Sequence, residues 1–136
     1  EWREINIPLP ILNPQTLNCL KAGALYIHGR CKDLTPILVA NMGVVGRLFE
    51  KDQICAESFV QLHNLLANYI TANMLVPGQV DRWIILGDAS QFSLLKLPIG
   101  IFKQANREMT NNYLENSHKF LVVNMTWFQS SLLKTF

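Results

Sequence analysis

Charged side chains are scarce in this chain of 136 residues: they make up 16% of it, against the roughly 25% that is typical of globular domains. The net charge of +2 is too small to indicate a nucleic-acid-binding protein. The apolar runs stay under about ten residues, which is too short for a helix that spans a bilayer. The low charge and the short apolar runs therefore argue against a basic nucleic-acid-binding protein and against a bundle of membrane-spanning helices.

Patterns that indicate catalysis or metal binding are also lacking. Cys19, Cys31 and Cys55 are odd in number and widely spaced, which predicts reduced thiols in a cytosolic protein. The three histidines do not have metal-ligand spacing, and there is no Gly-x-Ser-x-Gly turn. The glycines of residues 43–46 are not followed by Lys-Ser/Thr, so we interpret this segment as a loop and not as a phosphate-binding turn. We expect a non-enzyme without metal or cofactor.

Hydrophobic residues, by contrast, make up 49% of the chain, and their spacing predicts strands that alternate with helices. Residues 24–28 and 36–41 are strand candidates joined by a short polar turn, which favours an antiparallel hairpin. Residues 82–87 and 120–124 are apolar without alternation, which is typical of strands buried on both faces. The prolines within residues 1–16 predict an irregular lead-in, apart from one possible helical turn at 16–20.

Helices are predicted between and after these strands. In residues 53–75 an apolar stripe recurs at spacings of three and four, with His63 expected on the polar or boundary side. A second helix is expected after Pro98, and a third from Trp127. Strand-helix-strand crossovers are parallel and right-handed, so the pattern predicts an α/β fold with a mixed, mostly parallel sheet covered by helices. By length, residues 1–136 form a single domain.

A family resemblance lies in the last quarter of the chain. Tyr113 and Glu115 are followed by Lys119, by an apolar strand that ends at Asn124, and by the aromatic Trp127. This order resembles the CRAL-TRIO lipid-binding domain, the fold of phosphatidylinositol-transfer proteins and of tocopherol and retinal carriers. Residues 25–38 are similar to the hairpin of that family, with Cys31 where an aspartate is usual. Residues 83–88 are similar to its strand that ends in aspartate, here Asp88.

The resemblance implies a cavity for one lipid between the sheet and a terminal gate helix. The residues implied to line the cavity and gate are Phe102, Ala105, Met109, Trp127, Phe128, Leu132 and Phe136. The gate aromatics are equally compatible with ordinary packing of a helix on the sheet. Serine and threonine bind phosphocholine in some members, and the matching positions here are Trp83 and Ile85, which suits an apolar cavity floor better.

Glu115 aligns with the glutamate that contacts the inositol head group in phosphatidylinositol-binding members. Leu114 and Asn116 depart from the usual proline and arginine beside it, and a solvated carboxylate at a helix end is the alternative interpretation. The usual lysine partner belongs to a strand after the gate. We therefore expect the fold to be truncated at its C-terminus, and residues 1–16 to follow a missing N-terminal helical region.

The function implied by the resemblance is binding of one phospholipid or other hydrophobic small molecule for lipid transport or presentation. The resemblance implies a monomer that is cytoplasmic or peripherally associated with membranes, that touches membranes transiently and that does not bind nucleic acid. The alternative is a docking module of a larger signalling protein that binds a partner or membrane and transfers nothing.

Overall fold

A computed structural model describes residues 13–93, 100, 101, 103, 104, 107, 111 and 117–133. The elements follow the order α1, β1, β2, α2, α3, β3, β4, α4. Their bounds are α1 Pro14–Lys21, β1 Leu25–Arg30, β2 Pro36–Asn41, α2 Met42–Glu50, α3 Ala56–Asn73, β3 Trp83–Asp88, β4 Ser117–Val123 and α4 Trp127–Leu133. The described residues between 100 and 111 are helical as well. The α/β prediction is confirmed.

The sheet has the order β1-β2-β3-β4. Strands β1 and β2 are antiparallel, as the short turn between them predicted, while β2, β3 and β4 are parallel. The strands that contain Trp83 and Phe120 are neighbours, since Ile85 pairs with Phe120. Both crossovers step in the same direction across the sheet, and residues of α2 and α3, together with Ile101 of the second crossover, pack against one buried cluster.

The expectation that residues 1–16 are irregular was wrong for the last residues of that segment, because helix α1 begins at Pro14. Asn13 is the N-cap, and its side chain accepts a 2.7 Å hydrogen bond from the backbone N–H of Thr16. Pro14 occupies the first helical position, where its missing N–H costs nothing and its fixed φ suits the helix. The proline therefore starts a helix of two turns. The prolines at positions 8 and 10 lie outside the described residues.

Helix α2 occupies the segment that we interpreted as a glycine loop, and that interpretation was wrong. Asn41 ends β2 and also caps α2, since its side chain accepts a 3.1 Å hydrogen bond from the N–H of Val44. Gly43 lies against the loop after β3: a Cβ atom at this position would lie 2.7 Å from the carbonyl oxygen of Ser90. The glycine reflects this close approach, which overrides its low helix propensity.

Helix α3 forms as its apolar period predicted and supplies much of the core, with Phe59, Leu62 and Ile70 buried. The expectation for His63 was wrong, because this side chain is buried at 4% exposure. Burial of the imidazole lowers its pKa to about 4, an effect that the Asn64 side chain opposes only in part. Neither ring nitrogen has a close hydrogen-bond partner within the described part of the chain.

The two apolar strands are less covered than expected. In β3 the residues alternate between buried and half-buried. In β4, Phe120, Leu121 and Val123 are all exposed. Strand β4 lies at the edge of the described sheet, so it has a neighbour on one side only, and the prediction that it is buried on both faces was wrong. None of the helices in the described residues is long and apolar enough to cross a membrane.

Candidate functional site: the open face of the sheet

The two faces of the sheet have different surroundings. Leu38, Ala40, Trp83 and Ile85 point to one face, where they join a single buried cluster with residues of α1, α2 and α3. Their register places them side by side, since Leu38 pairs with Ile85. We call this side the helix-covered face. Its packing provides the hydrophobic core of the described structure.

The opposite side carries the alternate residues of each strand, and we call it the open face. Pairing arranges these residues in three rows that run across the sheet. Tyr26 and His28 share this face, as their ring contact at 6.2 Å shows. The amino row is Ile37, Ile84 and Lys119; the middle row is Tyr26, Val39, Leu86 and Leu121; the carboxyl row is Asn41, Asp88 and Val123. His28 lies beside Tyr26, where the register of β1 shifts.

The open face is apolar at its centre and only partly covered. Leu121 is 45% exposed, Ile84 and Leu86 are half-buried, and only Val39 is fully buried. None of these residues belongs to the buried core cluster of the described chain. Four apolar or aromatic side chains in a continuous row across four strands form a floor about 14 Å wide at ordinary strand spacing. Such a floor suits a flat or extended hydrophobic partner.

A cavity also lies between α1 and α2, but it does not suit a lipid. Its volume is about 170 Å³, and it is lined by Ala22, Val44, Arg47, Leu48, Lys51 and Gln53. Pockets that enclose drug-sized ligands are typically about 300–1,000 Å³. The ends of two helices meet here, and cations at such ends complement the exposed carbonyl groups. The open face is therefore the better candidate for binding a large apolar molecule.

The carboxyl ends of β3 and β4 are joined by polar side chains. Asp88 accepts 2.9 Å hydrogen bonds from the Asn124 side chain and from the backbone N–H of Ser90. The bond from Asn124, followed by those from Ser90, lowers the pKa of the Asp88 carboxyl, so this group is a carboxylate at neutral pH. Asn124 has a φ of +59°, a left-handed conformation that turns the chain from β4 towards α4.

The start of α4 is anchored by a reciprocal pair of hydrogen bonds. The Gln129 side chain accepts from the N–H of Thr126 at 2.8 Å, and the Thr126 hydroxyl accepts from the N–H of Gln129 at 3.3 Å. This is the capping-box arrangement. The Gln129 amide also donates to the carbonyl of Phe92 at 2.8 Å, which ties the helix to the loop after β3. Trp127 and Phe128, by contrast, are 84% and 64% exposed.

The structure brings together few of the site residues that the resemblance indicates. Trp127 and Phe128 lie in the first turn of α4. The other indicated positions lie outside the described residues: Phe102, Ala105, Met109, Glu115 and Phe136, together with the side chain of Leu132. The roles of these residues stay predictions.

The residues of β3 that were expected to form the cavity floor lie on the wrong face of the sheet. Trp83 and Ile85 lie on the helix-covered face at 0% and 3% exposure, so they cannot line the open face. The half-buried residues of β3 on the open face are Ile84 and Leu86. A one-residue offset exchanges the two faces of a strand, because successive side chains point to opposite sides. The outer strands carry a signal that could have identified these residues. Tyr26 and Lys119 are more polar positions that mark the open face, and Leu86 and Ile84 lie in the same rows.

Comparison with known proteins gives one family. The model of the CRAL/TRIO domain matches residues 20–136, which is most of the chain. Domains of this type generally bind small lipophilic ligands. No curated protein matches the chain.

Proposed function

This chain belongs to the CRAL/TRIO domain family, and on that premise we propose that it binds one lipid or other hydrophobic molecule on the open face, for transport or presentation. The observation that carries the proposal is the apolar middle row of Tyr26, Val39, Leu86 and Leu121, which lies opposite the helix-packed core. Burial of each ligand methylene contributes about 0.8 kcal/mol, so a floor of this size can hold a lipid chain.

We propose a binding role without catalysis. The polar groups at the carboxyl ends of the strands are already engaged in holding the backbone: Asn41 caps α2, and Asp88 binds Asn124 and Ser90. A side chain that fixes a helix or a turn is poorly placed to act on a substrate. Phosphatidylinositol is one candidate ligand, because of the resemblance around Glu115. The protein would act as a cytoplasmic monomer.

The exposed aromatics of α4 support transient membrane contact as part of this function. Trp127 and Phe128 are neighbours in the first helical turn, and both present large apolar surfaces to solvent. Tryptophan and phenylalanine on the apolar side of a surface helix are typical of segments that enter the lipid interface. A carrier that loads and unloads its ligand at a membrane would use such a contact.

The experiment is native mass spectrometry of the protein purified from cells, combined with a matched pair of variants. Leu121→Asp places a charge on the open face, while Leu34→Asp makes the same change at an exposed turn residue whose φ of 68° tolerates aspartate. We expect a co-purifying lipid with the wild type and with Leu34→Asp, and loss of that lipid with Leu121→Asp.

Both leucines are more than a third exposed, so circular dichroism should remain unchanged in both variants. A wild-type protein that carries no lipid and does not bind added lipid would contradict the proposal and favour the docking module. Retention of lipid by a folded Leu121→Asp variant would place the ligand elsewhere.

A further inference from the structure

Charge is distributed unevenly along the open face. Lys119 lies in the amino row, where it pairs with Ile84, and its side chain is exposed. Asp88 lies in the carboxyl row between Asn41 and Val123. A cation therefore flanks the apolar middle row on its amino side and a carboxylate flanks it on its carboxyl side. Along β4 the four-residue separation of Lys119 and Val123 corresponds to about 13 Å.

Two arginines near this end of the sheet have polar partners, whereas Lys32 lies in the hairpin turn, outside the strands. Arg30 donates a 2.8 Å hydrogen bond to the carbonyl of Leu34, within the hairpin turn. Arg82 pairs with Asp81 at 3.4 Å. Within the described residues, Lys119 has no carboxylate partner. Its ammonium group is thus available to a ligand that lies on the apolar floor beside it.

An anionic group on a ligand would meet opposite conditions at the two ends. Near Asp88 it would be repelled by a carboxylate that is held in place by two hydrogen bonds. Near Lys119 it would gain a charge-assisted hydrogen bond, while its hydrocarbon chain would extend over Ile84, Leu86 and Leu121. One lysine balances one negative charge. A phosphate monoester, which carries nearly two charges, would be matched less well.

We propose that the ligand is a single-chain lipid with a terminal carboxylate, and that Lys119 binds this carboxylate and so determines the orientation of the chain on the open face. The inference rests on the proposed function. It replaces phosphatidylinositol, the ligand that the resemblance suggests, by a carboxylate lipid, and it names the residue that selects this ligand. Lys119 binds the head group through its charge, and the middle row binds the chain through hydrophobic burial.

The test compares oleate with oleyl alcohol, which has the same chain without the charge. Each is titrated against a bound fluorescent fatty-acid analogue in the wild type, in Lys119→Met and in the control Lys21→Met, which removes an exposed lysine at the end of α1. We expect the wild type and Lys21→Met to prefer oleate about fivefold, a preference that weakens with salt, and Lys119→Met to bind both equally. Oleoyl lysophosphatidate should compete more weakly than oleate.

The outcomes separate this inference from the proposed function. Equal affinity of the wild type for oleate and oleyl alcohol, or an unchanged preference in Lys119→Met, overturns the role of Lys119 while lipid binding itself stands. A stronger preference for lysophosphatidate than for oleate overturns the carboxylate assignment. Failure of the wild type to bind either lipid, with no lipid co-purifying, overturns the proposed function and this inference with it.

Discussion

The side-chain amide of Asn124 donates a 2.9 Å hydrogen bond to the carboxylate of Asp88, and this bond joins the ends of two parallel strands. Asn124 is also the residue at which the chain turns from β4 into α4, with a φ of +59°. The same residue therefore holds the strand ends together and directs the exposed aromatic helix. Its two contributions, one from the side chain and one from the backbone, can be measured separately.

Replacing Asn124 with alanine should destabilise the protein more than replacing it with glycine. Both changes remove the bond to Asp88, at a cost of about 1 kcal/mol. The left-handed conformation destabilises the alanine variant by a further amount of about 1 kcal/mol, whereas glycine adopts this conformation freely. Urea denaturation should show a loss of about 2 kcal/mol for Asn124→Ala and about 1 kcal/mol for Asn124→Gly. Equal losses would mean that the backbone relaxes when the side chain is removed.

The buried His63 should make the protein sensitive to mild acid. Burial lowers its folded pKa to about 4 from an ordinary value of 6.5, so the folded state favours the neutral ring. Above pH 6.5 the ring is neutral in both the folded and the unfolded state, and His63 does not reduce stability. As the pH falls towards 4, the unfolded state takes up the proton more readily, so the free energy of unfolding decreases. The loss amounts to about 3 kcal/mol, at 1.4 kcal/mol per pKa unit. Urea denaturation between pH 7 and pH 4 measures it.

Matched histidine variants isolate the effect of His63. His63→Leu replaces the imidazole by an apolar side chain of similar size and should remove most of the pH dependence of stability between pH 6.5 and pH 4. The exposed His28 is the control, and His28→Gln should retain the wild-type dependence. A pH profile of His63→Leu that matches the wild type would assign the acid sensitivity to other groups.

The two glycines of α2 should respond in opposite directions to alanine. A Cβ at Gly43 would lie 2.7 Å from the carbonyl oxygen of Ser90, whereas a Cβ at Gly46 would meet no atom within 4 Å. Gly46→Ala should raise the free energy of unfolding by about 0.5–1 kcal/mol through helix propensity. Gly43→Ala should lower it by about 1–3 kcal/mol, because α2 must move away from the loop after β3. Thermal unfolding of the pair measures both signs, and a stabilised Gly43→Ala variant would show that the contact is loose.

Trp127 should contribute to membrane association with little effect on stability. Its side chain is largely exposed, so Trp127→Ala removes few internal contacts. Insertion of an aromatic of this size into a lipid interface is worth about 1.5 kcal/mol or more, so the variant should bind vesicles about tenfold more weakly. Vesicle sedimentation measures the change, and Tyr69→Ala, at an exposed aromatic of α3, is the control. Unchanged sedimentation of Trp127→Ala would contradict the membrane role.

The candidate site was predictable from the sequence only in part. The resemblance indicated a lipid-binding sheet and a terminal aromatic helix, and the family assignment agrees with it. The residues of the floor were not predictable, however, because Trp83 and Ile84 are both large and apolar. Only pairing with neighbouring strands decides which of them faces the helices. In the same way, His63 lies near an apolar stripe, and its burial depends on what packs against α3.

Local patterns in the sequence were sufficient for the hairpin, for helix α3 and for the existence of β3 and β4, because turn length and hydrophobic period act within a few residues. The tertiary structure decided the rest. The glycine at position 43 of α2 is explained by its close approach to Ser90, and the exposure of β4 depends on its place in the strand order. The open face exists because α1, α2 and α3 all pack on the other side of the sheet, a relationship between distant segments that spacing along the chain does not encode.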